Sequence, residues 1–237
     1  MSHSYFVTGT DTEIGKTLVT AALVYKLNVL KPGSACAYKP VVAGTYRNSE
    51  GMLCNEDLET YRLVQDPVIP QSTICPYVLD TPAAPHLVAA EHGKHLELDR
   101  MVQAYQTLQS RVTHVIAEGA GGFLTPIDDR HDLSGFAQRI QVPIILTVGM
   151  RLGCINHTLL TVEAIKQRGL TLAGWIANCI DPNMVYLNEN ITTLRHRIKA
   201  PLLGSIAHLP PSLQKKTNAP YSIKRFSLLR RQSPYPD

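Results

Sequence analysis

Apolar residues along this chain fall into two rhythms. Short, almost continuously apolar runs recur as "SYFVTG", "SACAYKPV", "THVIAEGAGG", "VPIILTVGM", "LTLAGWIANCI" and "PLLGSIA". Runs without alternation belong to strands buried on both faces, as in a parallel sheet. Between several of them the spacing turns helical. "KTLVTAALVYKLNVL" places Leu18, Ala21, Ala22, Val24, Tyr25 and Val29 on one broad apolar face. "INHTLLTVEAIKQRG", closed by Gly169, and "NMVYLNENITTLRHRIK" read the same way. Repeated strand–helix units predict a doubly wound α/β fold, a mostly parallel sheet flanked by helices. Residues 42–110 fit less neatly. "CNEDLETYRLVQ", "PHLVAAEHGK" and "DRMVQAYQTLQS" read as helices between proline-containing loops, a helical excursion over the sheet.

No fixed-period repeat or low-complexity linker divides the chain, so one domain is expected over residues 1–210. The 237 residues are ample for a core. The net charge of +4 does not describe this body. Residues 211–237 carry +5 through Lys215, Lys216, Lys224, Arg225, Arg230 and Arg231 against Asp237, leaving −1 for the rest. A solvated, partly disordered tail explains this better than a nucleic-acid arm. The five scattered cysteines show no C-x-x-C pair and point to reduced thiols. With no secretory pattern and no apolar stretch of membrane-spanning length, a cytoplasmic protein is expected, without nucleic-acid or membrane partners.

The chemistry begins in the loop after the first strand, "GTDTEIGKT", Gly9 to Thr17. G-K-T is intact, and the first glycine of G-x-x-x-x-G-K-[ST] is shifted by one, with Thr10 in its place. Lying between strand and helix, this is the signature of a P-loop NTPase. Backbone N–H groups cradle phosphate oxygens. Lys16 would reach the β- and γ-phosphates, and Thr17 could ligate Mg²⁺. Asp11 and Glu13 are then expected to point away from the phosphates. Glu118, at the carboxyl end of "THVIAE", is either a metal ligand or the cap of a turn. Asp57 could supply a second carboxylate, with Glu56 and Glu59 as competitors. Lys39 ends a strand and is either solvated or a second cation beside the phosphates. His92 and His95 lack partners for a metal set and read as solvated. His157 reads as packing.

These residues resemble dethiobiotin synthetase, from Tyr5 to about Leu209. The resemblance rests on "YFVTGTDTEIGKT", "YKPVVAG", "VIAEGAGGFLTP", "GMRLGCINHTLLT", "LTLAGWIAN" and "APLLG". It implies a homodimer that converts 7,8-diaminopelargonic acid, CO₂ and Mg-ATP to dethiobiotin, through a carbamate and a carbamic–phosphoric anhydride. It implies Thr17, Asp57 and Glu118 as Mg²⁺ ligands, and Lys16, Lys39 and Thr12 as catalytic. Asp11, Thr12, Glu13, Ile14, Gly15, Lys16, Thr17, Glu118, Gly119, Gly121 and Asn178 would bind the nucleotide, Asn178 at the adenine. Thr12, Lys39, Ala43 and Gly121 would meet the diamine. Gly153, Cys154, Ile155 and Asn156 would take the substrate carboxylate across the dimer interface. Ala43 stands where relatives usually carry serine, and an alanine side chain neither donates nor accepts. Ala207 and His208 replace a common proline, and Lys39 and Asp57 stand one residue further apart than in relatives. Two other readings stay open. A switch ATPase of the partitioning or metal-insertion kind would usually carry a further lysine at Gly9–Asp11, absent here. A relative that binds nucleotide but has lost the ligase step is left open by Ala43.

Overall fold

The computed structural model describes residues 4–65, 68–214 and 216–222. The first apolar run forms β1 (Tyr5–Gly9), and after the glycine loop comes α1 (Lys16–Leu30). β2 (Ala35–Tyr38) stops before Pro40, which has no N–H to donate to a ladder. The chain continues into β3 (Val41–Ala43), the hairpin of β4 (Tyr46–Arg47) and β5 (Leu53–Cys54), then α2 (Glu56–Arg62) and α3 (Gln71–Ile74). β6 (Tyr77–Leu79), α4 (Pro85–Glu91) and α5 (Leu98–Gln109) return it to the sheet. β7 (His114–Glu118), α6 (Leu133–Ile140), β8 (Ile144–Gly149), α7 (Cys154–Gln167), β9 (Leu172–Asn178), α8 (Leu187–Arg197) and β10 (Leu202–Ile206) follow.

Six strands form the main sheet in the order β10-β9-β8-β1-β7-β2, and every neighbouring pair is parallel. Val7 pairs with Glu118 and Gly9 with Thr147, so β1, β7 and β8 end at one rim. The phosphate loop, the glycine run after Glu118 and the β8–α7 loop therefore open on the same edge, where doubly wound sheets bind ligands.

Strand alternation divides the core between the two faces. Phe6 points to one side, where Tyr38, Tyr105 and Phe136 pack with ring centroids 5.7–6.0 Å apart. Val7 points to the other, among Leu18, Val24, Ala37, Leu58 and Tyr61 from α1, β2 and α2. Each buried leucine, valine or phenylalanine among them contributes about 1.5–3 kcal/mol. In α1, Leu18, Val19, Ala21 and Val24 are buried, whereas Val29 is 44% exposed and falls outside the apolar face expected of it.

The excursion is not helical throughout. β3 pairs with β6 and β4 with β5 in two small sheets. α6 is a further addition, started by Asp132, whose side chain accepts from the N–H groups of Ser134 (2.9 Å) and Gly135 (3.3 Å). Residues 216–222 turn back onto α2. The Asn218 N–H donates to Glu56 Oε1 at 2.5 Å and the Tyr221 N–H to Thr60 Oγ1 at 3.1 Å. The Tyr221 side chain is buried beside α1 and α2. Pro211–Leu213 form a short 3₁₀ turn, and residues 215 and 223–237 lie outside the described residues. Among the described residues no helix is long and apolar enough to cross a membrane.

Candidate active site

The loop from Gly9 to Lys16 is shaped by two left-handed residues, Glu13 (φ 57°) and Gly15 (φ 90°). Gly15 is required twice over, because a Cβ there would lie 2.3 Å from Asn178 Nδ2. That amide donates to the Ile14 carbonyl at 2.7 Å and braces the loop against the end of β9. Thr10 N–H donates to Thr147 O on the neighbouring strand (3.2 Å). The Asp11 carboxylate bonds on both oxygens: Oδ1 accepts from the Thr12 N–H at 2.7 Å, and Oδ2 pairs with Arg151 of the β8–α7 loop. The Lys16 ammonium reaches back to the Asp11 carbonyl at 2.6 Å. Glu13 is exposed.

Beside the loop, four side chains converge. Thr17 Oγ1 lies 2.8 Å from Asp57 Oδ1 and 3.0 Å from Glu118 Oε1, and its single proton serves one of them at a time. The Lys39 ammonium bridges the same carboxylates, 2.5 Å from Asp57 Oδ2 and 2.7 Å from Glu118 Oε1. Glu118 is fully buried, and its Oε2 accepts from the buried Tyr61 hydroxyl. Burial alone would lower the Lys39 pKa, but Asp57 and Glu118 more than reverse this and hold it above the usual lysine range. Burial lowers Lys16 to about 8; Glu118 opposes that shift and Lys39 reinforces it. Burial, and then the charge of Glu118, pushes the Tyr61 hydroxyl well above its ordinary value, so it stays a donor.

α2 delivers Asp57 by a simple device. Asn55 caps the helix, its Oδ1 accepting from the Asp57 and Leu58 N–H groups while its Nδ2 donates to the Gly44 carbonyl at 2.7 Å. The competing acids face elsewhere: Glu56 meets Asn218, and Glu59 pairs with Arg62 at 2.8 Å. Asp57 and Tyr61, four residues apart, share the face toward Glu118.

Among the other expected residues, Gly121 (φ 62°) sits beside Thr12, since its Cβ would lie 3.6 Å from Thr12 Oγ1. Gly119 lies against the Phe6 ring. Ala43 ends β3, next to the Gly44 carbonyl that holds Asn55. Gly153 (φ 91°) precedes α7, and the hydrogen bonds of Gly153 and Cys154 stay within that turn. The Arg151–Asp11 pair is what links this turn to the phosphate loop; none of its hydrogen bonds among the described residues reaches Lys39 or Glu118. Tyr61, Asn55 and Arg151 were not singled out from sequence. An asparagine directly before the acidic start of a helix is a cap signal, and Tyr61 stands at the i+4 position from Asp57. Arg151 carried no such sign.

A parallel sheet whose central strand enters a G-K-T loop, with a threonine hydroxyl and two carboxylates beside it, defines a P-loop nucleotide-binding protein. Solved structures agree on the fold. A ParA family ATPase from Chlorobium tepidum TLS superposes with a TM-score of 0.53 at 13% identity, covering 88% of this chain and 86% of that one. The MinC:MinD cell division protein complex of Aquifex aeolicus gives a TM-score of 0.56 at 11% identity, covering 89% and 83%. Sequence comparison goes further. A family model described as an AAA domain matches residues 3–216. The ATP-dependent dethiobiotin synthetase BioD of Aromatoleum aromaticum is 48% identical over 209 residues, 87% of this chain and 91% of that relative. The chain belongs to the dethiobiotin synthetase family of ATP-dependent ligases.

Proposed function

We propose that this protein carboxylates and cyclises 7,8-diaminopelargonic acid with CO₂ and ATP to give dethiobiotin, working as a cytoplasmic homodimer. The observation that carries the reading is the Thr17–Lys39–Asp57–Glu118 cluster beside Lys16, in a chain 48% identical to a dethiobiotin synthetase. The partition-type neighbours share the fold alone, and Asp11 occupies the part of the loop where a switch ATPase would carry its further lysine.

Two carboxylates and a hydroxyl are hard oxygen donors that fit Mg²⁺, with phosphate oxygens and water filling the remaining positions. Thr17, Asp57 and Glu118 would hold it, and it would neutralise charge on the β- and γ-phosphates. Lys16 exchanges the Asp11 carbonyl for phosphate oxygens, and the loop N–H groups hold the rest of the chain of phosphates. One amine of the substrate bonds to CO₂ and loses a proton, giving a carbamate. A carbamate oxygen attacks the γ-phosphorus and ADP leaves. Both reactants are anions, and Lys39, fixed between the two carboxylates, lowers their repulsion. The second amine then attacks the carbonyl carbon, the ring closes and phosphate departs with loss of the amine proton.

The first-turn N–H groups of α7, at Ile155 and Asn156, suit the substrate carboxylate. Leu152, 95% exposed just before α7, and Leu160 on its outer side give that face an apolar surface suited to a second copy. Purified protein incubated with Mg-ATP, bicarbonate and 7,8-diaminopelargonate should form dethiobiotin, detected by mass. ATP hydrolysis independent of the diamine, with no ureido product, would overturn the proposal.

A further inference from the structure

Glu118 is a carboxylate with no exposure to solvent, and a buried charge needs a donor at each oxygen. Oε1 is served by Lys39 and Thr17. Oε2 is served by the Tyr61 hydroxyl, and among the described residues no other donor reaches it. We propose that Tyr61 is a positioning residue of the ligase site, whose hydroxyl fixes the rotation of Glu118 and leaves Oε1 turned toward Thr17 and Lys39.

Packing does not require that hydroxyl. The Tyr61 ring lies in the apolar cluster with Leu58, Val64, Ile74 and Tyr221, which a phenylalanine would fill equally well. Helix geometry presents Asp57 and Tyr61 on one face of α2, so one element sets both carboxylates of the site. The adjoining side of α2 is tied down through Glu56 and Thr60 to residues 218–221. Outer groups that orient a metal-binding carboxylate typically govern 10–100-fold in metal affinity or activity.

This inference rests on the reading of Glu118 as a metal ligand, so the experiment separates the two. Mn²⁺ binding to the protein with ADP, followed by electron paramagnetic resonance, is compared for the unaltered chain, Tyr61→Phe and Glu118→Gln. Tyr61→Phe should bind Mn²⁺ about 10–100-fold more weakly and lose kcat to a similar extent. Its KM for the diamine, and its ADP affinity in EDTA, should be unchanged. Glu118→Gln should lose Mn²⁺ binding more severely. An unchanged Mn²⁺ affinity in Tyr61→Phe, with Glu118→Gln impaired, overturns the role of Tyr61 alone. Unchanged affinity in Glu118→Gln overturns the metal-ligand reading and this inference with it. Incorporating 4-aminophenylalanine at position 61 restores a donor on the same ring and should recover Mn²⁺ binding. Failure to recover would assign the Tyr61→Phe defect to packing and sink the proposal.

Discussion

Lys16 and Lys39 carry the same charge at similar depth, but the fold treats them oppositely. Lys39 is held between Asp57 and Glu118, whereas Lys16 is bonded to a neutral carbonyl and its pKa is lowered to about 8. Folding therefore works against the charged form of Lys16, and removing that amine relieves a cost. We expect Lys16→Met to fold at least as stably as the parent at pH 7 while losing ATP turnover. Lys39→Met should lose turnover too, but cost about 3–5 kcal/mol in urea unfolding, because two carboxylates are left buried without their cation. Equal stability of the two variants would show that the ion pairs do not differ as described. The loop lysine, the strand-end lysine and Glu118 were legible because each stands at a fixed place in a strand–loop–helix unit. Tyr61 was not: in "LETYRLVQ" it reads as one more apolar helix position, and only the fold reveals where its hydroxyl points. The choice of Asp57 over Glu56 and Glu59 likewise depends on the turn at which α2 begins.

That beginning is set by Asn55, and α2 is the element on which the site depends most. The helix has only seven residues, too few to be stable alone. Asn55 holds its first turn and Gly44, Tyr61 holds Glu118, and residues 216–222 cover its outer side. Asn55→Ala should cost about 1 kcal/mol in urea unfolding from the lost cap. It should also raise the Mg²⁺ concentration needed for half-maximal turnover, because Asp57 follows the cap by two residues. A stability loss with an unaltered Mg²⁺ requirement would separate the cap from the placement of Asp57. At this scale the long strands and helices could be read from periodicity. β3, β4, β5 and β6 could not, since two or three residues show no period.

Across the whole molecule, the strand order β10-β9-β8-β1-β7-β2 gathers the loop, Glu118 and the β8–α7 turn at one rim. Nothing in the pattern of a single strand states its neighbours, so the sequence showed repeated units but not their order. The same two-faced burial sets the protein's response to alkali. All five cysteines are buried free thiols, and burial pushes Cys36 and Cys75 from 9.0 up to about 12. The unfolded chain releases these protons above pH 9, whereas the folded chain keeps them until about pH 12. Their stabilising effect is thus complete below pH 9 and fades between the two values, by up to about 1.4 kcal/mol per thiol per pH unit. Lys16, lowered to about 8, acts in the opposite sense over this range, so the thiols are read by comparison: from pH 9 to 10.5 thermal stability should fall more steeply in the parent than in the variant with both cysteines replaced by alanine. An unchanged slope would place the alkaline sensitivity elsewhere. The contact between Tyr221 and Thr60 has a consequence for how the protein is made. A ribosome adds Tyr221 161 residues after Thr60, when α2 and the strands of the sheet have already been synthesised. A nascent chain that has reached β10 holds its phosphate loop and both carboxylates, yet α2 still lacks its outer cover. Completion of the surroundings of α2 is therefore tied to synthesis of residues beyond β10.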